Sequence, residues 1–225
     1  MKQHAKIILL LALISLVAGW CTASVAEQEL GPWEKREIEE GVVSETNYSR
    51  RILDEKGREI RAQLGSGTTP YNVVLRYDSI YRYEETEEGL VRWTEARQYD
   101  AHGNLELLMM SKDLNDVPMG SEWFDAAGRR VQWQEVDPES GHKHSLYAHK
   151  WPNDQGVIVL KISEAYLDRE GNNLSQVIFH YNDAGELIYQ EHYVRNVEEN
   201  SFRREPYDGV PSEYIEAMAR DWFSK

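Results

Sequence analysis

In YNVVLRYDSIYRY, residues 71–83, the odd positions hold Tyr71, Val73, Leu75, Tyr77, Ser79, Tyr81 and Tyr83. The even positions are mostly polar or charged: Asn72, Arg76, Asp78 and Arg82. A period of two places each set on its own face of a strand, and the pattern predicts that the odd face is the buried one. VIVLKISEAYL (157–167) is more apolar and predicts a central strand, with Ile158, Leu160, Ile162 and Tyr166 sharing a face. ELIYQEHYVR (186–195) sets Leu187, Tyr189 and Tyr193 on one side. Between residues 51 and 195 no helical period persists beyond two turns.

A short phrase punctuates these stretches: LDEKG at 53–57, YDAHG at 99–103, FDAAG at 124–128, LDREG at 167–171 and YNDAG at 181–185. An Asp or Asn with Gly three residues on is the residue set of a type I turn. The acceptor side chain caps backbone N–H groups two residues ahead. The glycine takes the left-handed conformation that closes a hairpin with a bulge. The predicted turn pairs are Asp54 and Gly57, Asp100 and Gly103, Asp125 and Gly128, Asp168 and Gly171, and Asn182 and Gly185. Looser versions end at Gly89, Gly141 and Gly156, and five of the seven gaps between these glycines are 13 to 15 residues. The one gap of 25 contains MMSKDLNDVPMG, which reads as a wide connection.

The expected fold is all-β: an antiparallel up-and-down meander of about ten strands over residues 51–205. Twist forces so long a sheet to curl, as a barrel, a half-barrel or a coiled repeat sheet. At the C-terminus (206–225), Ser212 is a candidate N-cap, and Ile215, Met218 and Trp222 fall on one helical face. That helix is expected to pack on the sheet or plug one end. Residues 27–50 form an acidic segment in which EKREIEEG reads as a short helix.

The phrases YDAHGNL (99–105) and FDAAGRRV (124–131) resemble the YD repeat of bacterial secreted and cell-surface proteins. Scattered units of it run from Leu53 to Tyr193, with Arg after the glycine at Arg58 and Arg129. The resemblance implies a β-hairpin array outside the bacterial cytoplasm or in the periplasm, in an interaction role. It carries no catalytic residues.

Lys2 and Lys6, the apolar run Ile7–Ala18 and the small residues Ala23, Ser24 and Ala26 compose a signal peptide over 1–26, cleaved after Ala26 or after Ala23. The protein is then secreted or periplasmic, and a chain of this kind is not an integral membrane protein. Lipid anchoring at Cys21, the single cysteine, lacks the small preceding residue, because Trp20 stands there. Removing Lys2 and Lys6 from 25 basic residues leaves 23 against 39 acidic, a net charge of −16. That balance argues against nucleic acid, whose phosphates need a basic footprint. It suits solubility, or a basic envelope or secreted partner. Sequons stand at Asn47 and Asn173.

Candidate chemistry is sparse. His142 and His144 share strand parity and are candidate metal ligands, His149 has the opposite parity, and a third ligand would come from Tyr166 or Asp168. No nucleophile elbow, zinc-protease motif, phosphate loop or dinucleotide fingerprint is present. Glu164, Glu186 and Glu191 are strand carboxylates that a polysaccharide-active enzyme would draw on. No cofactor is expected. Aromatics are the stronger lead. Trp133, Tyr147 and Trp151 fall on adjacent strands and are the candidate ligand-binding patch, for a protein, a glycan or a small apolar molecule, the last carried in a barrel. Binding rather than catalysis is the expected role.

Overall fold

Among the described residues, alternation and turn chemistry together produce thirteen strands: β1 (Glu34–Lys35), β2 (Tyr48–Leu53), β3 (Glu59–Ser66), β4 (Val74–Thr86), β5 (Gly89–Tyr99), β6 (Leu105–Leu114), β7 (Val117–Asp125), β8 (Arg130–Val136), β9 (Lys143–Pro152), β10 (Ile158–Leu167), β11 (Asn173–Tyr181), β12 (Leu187–Asn196) and β13 (Ser201–Glu205). One helix follows, α1 (Glu213–Phe223). The computed structural model describes residues 30–37, 44–152, 157–196 and 201–224. The signal-peptide segment lies outside them. The strands and the helix belong to one unit, Pro32–Lys225. All thirteen strands form a single antiparallel sheet in chain order. Among the described residues β1 and β13 each pair with one neighbour only, so the sheet is open and no barrel closes.

The five YD-like turns share one hydrogen-bond scheme. At the β5–β6 turn Gly103 N–H donates to Asp100 O (3.2 Å) and Asp100 N–H to Asn104 O (2.9 Å). The Asp100 carboxylate then accepts from His102 N–H, Asn104 N–H and the Asn104 amide. Asp54, Asp125, Asp168 and Asn182 close their turns in the same way. The glycines carry φ of 74° to 88°, a region costly for any residue with a Cβ. The residue after the glycine completes each turn. Arg58 and Arg129 pair with their turn aspartates at 2.7 and 2.6 Å, and their guanidinium groups also stack on Tyr83 and Trp222, at 4.4 and 4.3 Å.

Three expectations are corrected. The stretch read as a wide connection is the β6–β7 hairpin. Its two-residue turn is Asn115-Asp116, with φ of 50° and 63°. Asn and Asp tolerate the left-handed region that a tight hairpin demands, so no glycine was needed. In EKREIEEG, Glu34 and Lys35 bridge Ser49 and Tyr48 as a strand, and the residues from 38 to 41 lie outside the described set. On β4 the one buried side chain is Asp78, on the even face, the odd residues Leu75 to Tyr83 are half-buried, and Tyr71 precedes the strand and is exposed. An ion pair explains this: Arg61 on β3 grips Asp78 through two hydrogen bonds of 3.0 and 2.8 Å.

The core lies where α1 covers one face of β8–β11. Leu146, Leu160, Ile162 and Phe179 meet Ile215 and Met218 of the helix, with Trp133, Tyr214 and Trp222 packed around them. Each of these aliphatic or phenyl side chains stabilises by roughly 1.5–3 kcal/mol when fully buried. The expected grouping of Ile158, Leu160, Ile162 and Tyr166 on one face of β10 holds, since these residues oppose Pro152, Lys150, Ala148 and His144 in turn. Ser212 caps the helix, its Oγ accepting from Ile215 N–H. At the other end Trp222 Nε1–H donates to Arg130 O at 2.9 Å, and Phe223 lies against Gly185.

Candidate binding surface

Strand register divides the side chains into a helix face and an open face, and the two carry different chemistry. The helix face holds one polar clasp. Glu164, buried on β10, shares a 2.8 Å hydrogen bond with His144 Nε2 and accepts from Ser212 Oγ at 3.2 Å. His144 stacks on Tyr166 (centroids 4.5 Å) and meets Trp133 edge-on at 5.1 Å. Trp133 in turn stacks on Tyr214 of α1 at 5.0 Å. Burial, then the Glu164 charge, pushes the Tyr166 and Tyr207 phenols above the ordinary tyrosine value. Glu164 and Trp133 hold the helix start on the sheet, through Ser212 and Tyr214 respectively.

The open face lies on the other side. Among the described residues α1 is the only helix, and it packs on β8 and β10 from the helix face. Tyr147 (44% exposed), Trp151 (59%), Tyr189 (37%) and Phe202 (53%) all project from the open face, a concentration of large exposed rings that ordinary solvation does not require. Tyr147 and Trp151 are four residues apart on β9, about 13 Å along the strand. His149 lies between them, edge-on to Trp151 at 6.3 Å. Burial, then the nearby Lys161 charge, lowers the His149 pKa and favours the neutral ring. Towards β13, Glu191 binds His180 Nε2 (3.0 Å), Tyr193 OH (3.2 Å) and Arg204 (3.5 Å), so its charge is neutralised within the face.

Two adjacent rows cross the middle of this face, perpendicular to the strands. One leads from Tyr81 on β4 through Thr94, Ser111 and Ser121 to Gln134. It continues through Ser145 and Ala165 to Gln176 on β11. The other leads from Ala62 on β3 through Ser79, Ala96 and Met109 to Trp123. It goes on through Gln132, Tyr147 and Ser163 to Ile178. Gln134 Nε2–H donates to Ser145 Oγ at 2.8 Å, joining two strands within the first row.

The structure keeps only part of the patch expected from sequence. Tyr147 and Trp151 stand on the open face, but Trp133 opposes Leu146 and belongs to the helix face. Partners across the β8–β9 hairpin have opposite parity, so two odd-numbered residues on these strands point to opposite sides. The metal reading is not supported either. His142 lies in the β8–β9 turn, and His144 Nε2 is taken by Glu164. Tyr166 stacks on His144, and the Asp168 carboxylate is occupied by Asn172. No group of three metal-ligating side chains occurs among the described residues. Glu164 and Glu191 face opposite sides, and Glu186 sits beyond the β11–β12 turn bound to Asn182, so the three make no catalytic pair. A bulge at Ile188 takes Leu187 out of line with Tyr189 and Tyr193.

No protein-family model, curated protein or solved structure matches this chain. Among the described residues no helix is long and apolar enough to cross a membrane. The sequence reading missed Trp123, Gln132 and the serine row. Their signal was present as the even or odd complement of each strand's apolar set, but it becomes a surface only once neighbouring strands are in register.

Proposed function

We propose that this chain is a non-catalytic binding protein of the bacterial envelope, secreted or periplasmic, whose working surface is the open face of the sheet. The observation that carries this reading is the co-facial exposure of Tyr147, Trp151, Tyr189 and Phe202, on the side that α1 leaves uncovered. Aromatic side chains give large contact area at low conformational cost. The sheet edges are poorer candidates. β1 is two residues long, and β13 carries Arg203, Arg204 and Glu205, features that blunt an edge against strand addition. The N-terminal pattern and the YD-like turns support the compartment. The open strand order disfavours the barrel carrier, and the carboxylates that an enzyme would use are engaged in structural contacts.

Photo-crosslinking tests the surface. A benzophenone amino acid placed at position 147 or 151 should give adducts in native envelope extract. The same group at position 166, equally exposed on the helix face, should give none. Equal labelling from both faces, or labelling from position 166 alone, contradicts the reading.

A further inference from the structure

The two rows that cross the open face contain no charged side chain over eight positions in one and nine in the other, from Tyr81 to Gln176 and from Ala62 to Ile178. In a chain in which 28% of residues are charged, composition alone would put about five charges among them. Charges do appear immediately outside. Arg92 and Asp113 pair with each other in the next row on one side, and Lys161 stands in the next row on the other. The uncharged zone is therefore a bounded lane. Its two rows lie about 7 Å apart along the strands, and eight strands at ~4.8 Å spacing give it a length of roughly 34 Å.

The chemistry of the lane is specific. Hydroxyl and amide groups come from the half-buried Thr94, Ser111, Ser121, Gln132 and Gln134, flat rings stand among them at Tyr81, Trp123 and Tyr147, and the small residues Ser145, Ser163 and Ala165 are buried at the floor of the lane. Serine and alanine are depleted from the centres of protein–protein interfaces, whereas here they make up about half of the lane. Polyanions need arginine and lysine, which the lane lacks. A sugar polymer fits. Its hydroxyls match side chains that both donate and accept, its C–H faces pack on aromatic rings, and it needs no charge partner.

Building on the open face as the binding surface, we infer that the lane binds an extended uncharged polysaccharide running across the strands, with Trp123 and Tyr147 stacking on its sugar rings. The acidic residues of the chain all lie outside the lane, and its net negative charge keeps polyanions away.

Affinity electrophoresis of the mature chain tests this. The gels contain soluble mixed-linkage β-glucan, hydroxyethylcellulose, galactomannan or dextran, with alginate as the anionic comparison. At least one neutral polymer should retard the protein, and high salt should leave the retardation unchanged. Tyr147→Ala and Gln132→Glu should each weaken that retardation by about tenfold, with an unchanged circular-dichroism spectrum. Tyr147 is exposed, so its removal leaves the core intact. Lack of retardation by every neutral polymer overturns the inference, as does retardation that both variants leave untouched or that appears with alginate alone. The same protein carrying benzophenone at position 147 separates this from the broader reading. Capture of a protein there, with no polysaccharide bound, keeps the open face and removes the polysaccharide. Polysaccharide retardation lost only on Tyr166→Ala removes the open face itself.

Discussion

Replacing turn glycines by alanine separates backbone strain from packing, because the same change meets different surroundings along the sheet. At Gly57 (φ 78°) and Gly103 (φ 83°) an added Cβ would meet nothing within 4 Å. The whole cost is then that of holding a residue with a Cβ in the left-handed region, about 1–2 kcal/mol. For a domain of this size that corresponds to a fall in Tm of roughly 2–8 °C per site. The two turns share no partner, so Gly57→Ala and Gly103→Ala should add within about 0.5 kcal/mol in the double variant. Gly185 has the same φ, 83°, but its Cβ would come within 3.2 Å of the Phe223 ring. Gly185→Ala should cost more than the other two, because the helix end must also shift and disturb the Phe223 contact with Tyr181. Gly31, with open space and an ordinary φ, is the control and should change little. Urea unfolding with a constant m-value reads all four. A Gly57→Ala or Gly103→Ala variant as stable as the parent would refute the turn assignment. Gly185→Ala equal to Gly103→Ala would refute the docking of the helix end on that turn.

Acid should weaken the turns. Hydrogen bonds from Asn104 hold the Asp100 carboxyl below its ordinary value, and those from Asn172 do the same for Asp168. A depressed folded pKa gives stability that is present above about 3.8 and lost as pH falls through the folded values. Asp100→Asn and Asp168→Asn keep the acceptor, as Asn182 does naturally, so urea unfolding at pH 3 and pH 6 should show a smaller acid loss than the parent. Glu122 has the opposite sign: burial outweighs the Arg130 charge and raises its pKa from 4.5, so its contribution fades as pH rises through the folded value. Glu122→Gln should gain on the parent between pH 4.5 and pH 8, and an advantage that shrinks over that window would contradict this. Burial, then Glu216, pushes the Tyr181 phenol up to about 12. Several tyrosines titrate late, and spectrophotometric titration should show that Tyr181→Phe removes the last component; an unaltered end of the curve would show that Tyr181 is not the latest group.

Local chemistry makes most of the hairpins legible in the sequence. An Asp or Asn three residues ahead of a Gly contains the whole turn: the acceptor, the tight bend and the left-handed residue are within five positions. The same holds for the helix, whose cap and apolar face sit within Ser212–Trp222. The β6–β7 turn escaped because Asn115 and Asp116 meet the same backbone demand without glycine, and with that hairpin unread the strand count fell short. The alternation on β4 is visible in the sequence, where hydrophobicity alone points the odd set inward. The odd residues from Leu75 to Tyr83 are only half-buried, and the one buried side chain is Asp78 on the other face, held by Arg61 seventeen residues away in the chain.

Strand existence, turn positions, the helix and the charge balance are thus set by residues near one another in sequence, through backbone preference and side-chain period. Which side of the sheet a residue faces relative to its neighbours is not. A strand's parity is passed across a hairpin by loop length and by each bulge, and one residue in either inverts the correspondence, as it did for Trp133 against Tyr147. Only the assembled register could show that Trp123, Tyr147 and the serine row share an uncharged surface while Glu164 and His144 hold the helix on the opposite one.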